Sequence, residues 1–132
     1  WAVSNTEIDQ LNILQASVKA MNRAVGKLTE QPEHLLIDGH YFHTASGLPF
    51  TCVKKGDAIY KAIAAASILA KCHRDGLMAE YDKQYPAYGW ARNKGYPTPE
   101  HLRALEAHGP TPLHRYSFQR VQPALFSRTS QP

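Results

Sequence analysis

Leu35-Leu36-Ile37-Asp38-Gly39 and Phe50-Thr51-Cys52-Val53-Lys54-Lys55-Gly56-Asp57 are two short apolar runs, each closing on an acid beside a glycine. Runs of this length, bounded by glycine and loop residues, read as buried strands. If they lie side by side in one sheet, Asp38 and Asp57 meet at its edge. Two carboxylates at neighbouring strand ends make a hard-oxygen site for Mg²⁺ or Mn²⁺. Each acid also has a plainer reading. Asp38 suits the turn of an Asp-Gly pair, and Asp57 suits the N-cap of the helix that follows.

That helix is announced by Ile59, Ile63, Ala66, Ala70, Leu77, Met78 and Tyr81, which keep helical spacing. Its run Ala64-Ala65-Ala66-Ser67-Ile68-Leu69-Ala70 carries small residues on several faces, so close packing against a sheet is expected. Gly76 costs about 1 kcal/mol of helix propensity relative to Ala and is a candidate bend. Lys61, Lys71, Arg74 and Lys83 supply positive charge, and Asp75 beside Arg74 reads as a structural carboxylate.

N-terminal to the strands, residues 4 to 25 predict a single helix. Ser4 and Glu7 fit a capping box, and Gly26 is placed to stop it. Ile8, Leu11, Leu14, Val18, Met21 and Val25 form one apolar stripe. Asn12, Gln15 and Lys19 share another face, with Asn12 close to the stripe. A helix feeding a strand points to an α/β layer arrangement. Between the strands, His40, Tyr41, Phe42 and His43 make an aromatic, polar loop. His40 and His43 with Asp38 are short of the usual zinc ligand count.

C-terminal to the long helix, residues 85 to 97 read as a loop broken by Pro86, Gly89, Gly95 and Pro97. Tyr85, Tyr88, Trp90 and Tyr96 stand there among Arg92 and Lys94. Such a mixture suits stacking on sugars or bases with contacts to phosphate. It equally suits rings packed under a turn, and composition does not choose. Thr98, Pro99, Glu100 and Gly109 punctuate a final helix with Leu102 and Leu105 on its apolar face. Pro110 to Phe118 reads as a turn leading to a short packed piece. Arg120 and Arg128 make the tail basic.

The bulk numbers set bounds. A chain of 132 residues suits one domain. The formal charge of +4 permits an anionic partner without requiring one. No apolar run approaches the roughly 18 residues of a membrane span. Trp1-Ala2-Val3-Ser4 has neither basic nor apolar signal regions, which predicts a cytoplasmic protein. Cys52 and Cys72 are then expected as free, buried thiols.

Several blocks together resemble the middle and C-terminal part of bacterial ribonuclease HII, the type 2 ribonuclease H. They run, in order, Glu7-Ile8-Asp9-Gln10-Leu11-Asn12-Ile13-Leu14-Gln15-Ala16; Ile37-Asp38-Gly39; Lys55-Gly56-Asp57; Ile63 to Lys71; Arg74-Asp75; Lys94-Gly95-Tyr96-Pro97-Thr98; and His114-Arg115-Tyr116-Ser117-Phe118. Each block is weak alone; the shared order from about Trp1 to Leu125 is specific. The resemblance implies an α/β ribonuclease H-like fold, a mixed sheet flanked by helices with a helical C-terminal region. It implies an endoribonuclease that cuts the RNA strand of RNA–DNA hybrids, and cuts 5′ of ribonucleotides embedded in duplex DNA. In that family four acids hold two divalent ions, Mg²⁺ or Mn²⁺. Asp38 and Asp57 match the third and fourth acids. Tyr96 matches a tyrosine that stacks on the sugar at the RNA–DNA junction. Lys94, Lys71 and Arg74 join it as candidate substrate-binding residues.

The sequence also departs from the family. The block Asp-Glu-Ala-Gly-Arg-Gly, which carries the first two acids and the loop that senses the 2′-hydroxyl, is not in it. His40 stands where relatives usually have Asn, and Trp90 and Asn93 stand where many have Phe and His. The expectation is therefore a single partial domain incomplete at its N-terminus. Residues 1–84 would be its catalytic part and 85–132 its substrate-binding part. Alone it is expected to be inactive and, if folded, marginally stable or oligomeric. A non-catalytic nucleic-acid-binding remnant is the alternative; a zinc module through His40 and His43 trails both.

Overall fold

The structure, a computed structural model, describes residues 2–118 and Val121. Its residues fall into two compact units, Trp1–Lys71 and Cys72–Pro132.

In the first unit the predicted single helix is two. Helix α1 spans Asn5–Leu11 and α2 spans Ile13–Val25. Asn12 separates them at φ 70°, a left-handed φ that Asn tolerates better than most residues. Its side-chain oxygen accepts the Gln15 N–H at 3.1 Å and so caps α2. The capping box at Ser4 and Glu7 forms as expected. Glu7 also grips α2, pairing with Arg23 at 2.7 Å and Lys19 at 2.7 Å. Those bonds, Arg23's foremost, hold its carboxyl well below the usual carboxylate range. The stripe is only partly core: Val18 is buried, whereas Leu14, one turn earlier in α2, is half exposed.

Strand β1 (Leu35–Asp38) pairs in parallel with β2 (Phe50–Val53), Leu35 opposite Phe50 and Asp38 opposite Val53. Val18, Leu35, Ile37 and Phe42 form the core beneath them. The strands, expected to be buried, are only partly so. β1 alternates buried and exposed, and Phe50 and Thr51 of β2 are exposed. α2 and the Phe42 loop meet one face of the pair, so only alternate residues are covered.

The long helix also breaks, at Tyr60 rather than at Gly76. Helix α3 is Gly56–Ile59, Tyr60 is extended, and α4 runs Lys61–Gln84 straight through Gly76. The expected close packing of its Ala run is not found. Ile63 is the buried residue of α4, while Leu69 is 72 % exposed. Cys52 and Cys72 are free thiols as expected, but neither is buried: Cys52 is half-buried, and Cys72 is exposed on that open stretch of α4. Among the described residues no helix is long and apolar enough to cross a membrane.

The second unit is built on rings. The expected loop holds a 3₁₀ turn at Pro86–Tyr88 and a four-residue helix, α5, Trp90–Asn93. Helix α6, Pro99–His108, begins at the Thr98 cap and ends at Gly109, as read from the sequence. Tyr88, Trp90, Ala104, Leu105 and Val121 form the core. Thr111 and Arg115 carbonyls close turns with the N–H groups of His114 and Phe118. Arg120 and Arg128 lie outside the described residues.

Candidate active site

Parallel pairing in register brings the carboxyl ends of β1 and β2 to the same side, where open α/β sheets commonly bind ligands. β1 ends on Asp38, and Gly39 turns away at φ 107° while its N–H still reaches the Val53 carbonyl at 2.9 Å. β2 leaves through Lys54 and Lys55, and Lys55 enters α3 in the left-handed conformation. This tight return lays Gly56 against β1. Its N–H donates to Asp38 Oδ1 at 2.8 Å. Asp57, the next residue, lies in the first turn of α3, and its Oδ1 accepts the Ala58 N–H at 3.0 Å. Both side chains are on exposed residues.

The absence of a side chain at 56 eases this close packing. A Cβ there would meet Ile63 Cδ1 at 2.6 Å, Val53 Cβ at 3.3 Å and Asp38 Oδ1 at 3.5 Å. Asp57 is not the N-cap it was read as: Lys55 holds that position and Asp57 lies inside the first turn of α3, while Asp38 keeps its place before the Gly39 turn. One oxygen of each takes a backbone N–H, and the second oxygen faces no such donor among the described residues. Such a donor set fits a hard divalent cation as part of its shell. Among the described residues no group of three or more His, Cys, Asp or Glu is placed to hold a metal. His43 instead offers its carbonyl to the Asn22 amide at 2.9 Å. Asp75 is half-buried on α4.

The aromatic stretch separates into anchors and one open ring. Trp90 stacks on Tyr88 with centroids 5.3 Å apart and takes the edges of Tyr81 and Tyr85. Tyr88 donates its hydroxyl to the Gly109 carbonyl at 2.6 Å. Burial, with Tyr85 nearby, pushes the Tyr88 phenol above its ordinary pKa. Tyr96, in contrast, is 60 % exposed. The guanidinium carbon of Arg74 lies 5.4 Å from its ring centroid. Lys94 precedes it in the left-handed conformation and is half-buried; Lys71 is exposed on α4.

A family model described as Ribonuclease HII matches residues 2–121. The chain belongs to the ribonuclease HII family. It is 54 % identical to "Ribonuclease HII" of Phocaeicola vulgatus over 121 residues, 89 % of this chain and 60 % of that protein. Against "Ribonuclease HII" of Bacteroides thetaiotaomicron it is 53 % identical over the same shares. The chain therefore spans about 60 % of the length of these curated relatives. Its fold is that of the ribonuclease H2 from Pyrococcus horikoshii OT3. The TM-score is 0.79 at 21 % identity, over 96 % of this chain and 66 % of that one.

Three residues of this ribonuclease HII chain escaped the sequence reading. Asn93 is buried; it donates to the Tyr88 carbonyl at 2.7 Å and accepts the Gly95 N–H at 2.8 Å, fixing the turn that carries Tyr96. Its departure from the usual His was the available signal. His101 and His114 are also buried and stack with centroids 5.4 Å apart. The Thr111 N–H donates to His114 Nδ1 at 3.0 Å. Burial, and then His101 alongside, push the His114 imidazole down to about 4. Only its place in the His-Arg-Tyr-Ser-Phe block marked His114 in advance.

Proposed function

We propose that this chain carries the second half of a ribonuclease HII active site. The reaction is hydrolysis of the RNA strand of RNA–DNA hybrids, and cleavage 5′ of single ribonucleotides in duplex DNA, in the cytoplasm. Asp38 and Asp57 are the acids that hold Mg²⁺ or Mn²⁺. The observation that carries this reading is the Gly56 N–H bond to Asp38, which ties the strand end of one acid to the residue beside the other.

Asp38 and Asp57 would hold the divalent ions, whose chemistry there would be to activate a water and to offset charge on the leaving 3′ oxygen of an in-line displacement. The chain's own contribution is placement. The Gly56 and Ala58 N–H groups each hold one carboxylate oxygen, which restricts the rotation of both side chains. Tyr96 offers an open ring to a sugar, and Lys94, Lys71 and Arg74 are cations for phosphate. Residues 1–84 carry the acids and 85–132 most of the substrate surface.

Two carboxylates leave a pair of ions short of ligands, because Mg²⁺ keeps most of its waters unless negative charge accumulates around it. We therefore expect the 132 residues alone to leave a duplex with one ribonucleotide uncut in Mg²⁺ or Mn²⁺. Joined to the Asp-Glu-Ala-Gly-Arg-Gly block of the family, the chain should cut 5′ of that ribonucleotide and stop doing so in Asp38→Asn. A joined protein that binds the duplex without cutting it replaces this reading with the binding remnant. Cleavage by the chain alone that vanishes in Asp38→Asn shows that two acids suffice.

A further inference from the structure

We propose that Arg74 is a positioning residue for Tyr96: its guanidinium covers one face of the ring and leaves the other to the ribonucleotide sugar. The proposal rests on the substrate role given to Tyr96 above and adds what holds that ring in place.

The backbone under Tyr96 is fixed before its side chain is considered. Lys94 and Gly95 are left-handed at φ 52° and 77°. Asn93 binds the Gly95 N–H through its side chain and the Tyr96 N–H through its carbonyl, at 2.8 and 2.9 Å. The Thr98 N–H returns to the Tyr96 carbonyl at 2.8 Å. The turn lies directly on α4. A Cβ at Gly95 would meet Met78 Cε at 3.2 Å and Arg74 Nη2 at 3.6 Å. Arg74 and Met78 are four residues apart, so they share one face of the helix, and that face is the seat of the turn.

None of this restrains the ring itself. Tyr96 is 60 % exposed, and an exposed aromatic side chain samples several rotamers. The Arg74 guanidinium, 5.4 Å from the ring centroid, is within the distance at which a cation is drawn to an aromatic face. At an exposed site that attraction shifts a rotamer equilibrium by about two- to five-fold. Met78 under Gly95 fixes where the turn rests, and Arg74 one turn earlier fixes which way the ring faces. The open face is then presented to substrate without a search, which strengthens binding by reducing the ordering required. A lysine at 74 keeps the charge but loses the planar group that stacks.

The test is a double-mutant cycle on the full chain. Arg74→Ala, Arg74→Lys, Tyr96→Ala and the Arg74→Ala/Tyr96→Ala double variant are titrated into two labelled duplexes at one salt concentration. One duplex is all DNA; the other has the same sequence with a single ribonucleotide. The readout is the preference for the ribonucleotide duplex. Thermal melting of each variant separates a loss of fold from a loss of preference. We expect Arg74→Ala to lower the preference about two- to five-fold, Arg74→Lys to lower it less, and Arg74→Ala to change nothing further when Tyr96 is already Ala. Equal losses in both backgrounds overturn the proposal, since Arg74 then acts on the nucleic acid by itself. If Tyr96→Ala keeps the full preference, the role of Tyr96 fails and the proposal with it. If neither duplex binds, the functional reading fails. The Tyr96 ring resonances of the free protein then decide separately whether Arg74 holds the ring, and unchanged shifts in Arg74→Ala overturn that too.

Discussion

Asp38 and Asp57 stand on two four-residue strands and one turn of helix, each side chain steadied by a single backbone N–H. Tyr96 stands on a turn tied to a cluster of buried rings: Asn93 of that turn donates to the Tyr88 carbonyl, and Tyr88, Trp90, His101 and His114 are mutually in contact. The acid end is exposed and sparsely packed; the aromatic unit is dense. On the function proposed above, this division has a physical reason. Carboxylates that take a hard cation need solvent access and neighbours of the same sign, both of which cost stability. A stacking ring needs a rigid seat, which buried rings provide.

The largest effect should come from breaking the dense side. Trp90→Ala removes a nearly inaccessible ring in contact with five others and should cost about 3–5 kcal/mol in denaturant unfolding. A loss under 1 kcal/mol would mean the ring cluster is not the core of its unit. On the sparse side the same measurement should barely move. Asp57→Asn is an exposed change worth within about 0.5 kcal/mol of stability. In the protein joined to the N-terminal block, though, it should lower turnover by more than about 100-fold, beyond what loss of an outer-shell partner costs. A variant that keeps turnover but loses stability would reverse the comparison.

Between these lies Tyr96→Ala. Loss of a stacking ring costs about 1–3 kcal/mol of binding to a ribonucleotide-containing duplex, and Tyr96→Phe should be milder. Because the ring is exposed, thermal stability should stay put, and a destabilised variant would place Tyr96 with the anchors instead.

The smallest effect is a pH slope on the dense side. His114 titrates near 4 in the folded chain and near 6.5 when unfolded. The unfolded state therefore binds the extra proton first. The stability owed to neutral His114 is complete above pH 6.5 and drains away as pH falls toward 4. From pH 7 to pH 5 the loss should be about 1–2 kcal/mol, some of it screened by water. That interval lies above the range in which Glu7 begins to take up protons. His114→Gln should flatten the slope, and an unchanged slope would assign it elsewhere.

Legibility in the sequence follows the same division. The strand ends, the capping box at Ser4 and the punctuation of α6 are local signals, and all three were readable. The break at Asn12 was half readable, since Asn both tolerates a left-handed φ and caps helices. The break at Tyr60 was not, because nothing in Ile59-Tyr60-Lys61 opposes a helix. Gly76 looked the better breaker, yet helix continues on both sides of it and its deficit of about 1 kcal/mol is absorbed. The choice between stacking ring and anchor, even for Trp90 and Tyr96 alike, depends on which rings end up buried. Burial comes from contacts such as Trp90 with His101 and His114, distant in sequence and composed of polar residue types that a hydrophobic pattern passes over.

Gly56 carries a consequence for how this chain tolerates change. A single methyl at that position would run into the Cδ1 tip of Ile63, the buried residue of α4, and press on Val53 Cβ, so Ile63 would have to turn aside. The backbone there is not left-handed, so the demand is for space alone. In a library randomised across residues 54 to 57, position 56 should favour glycine, with alanine next, even when survivors are sorted only for folding. Position 57 should narrow to aspartate only when the library is joined to the N-terminal block and sorted for cleavage.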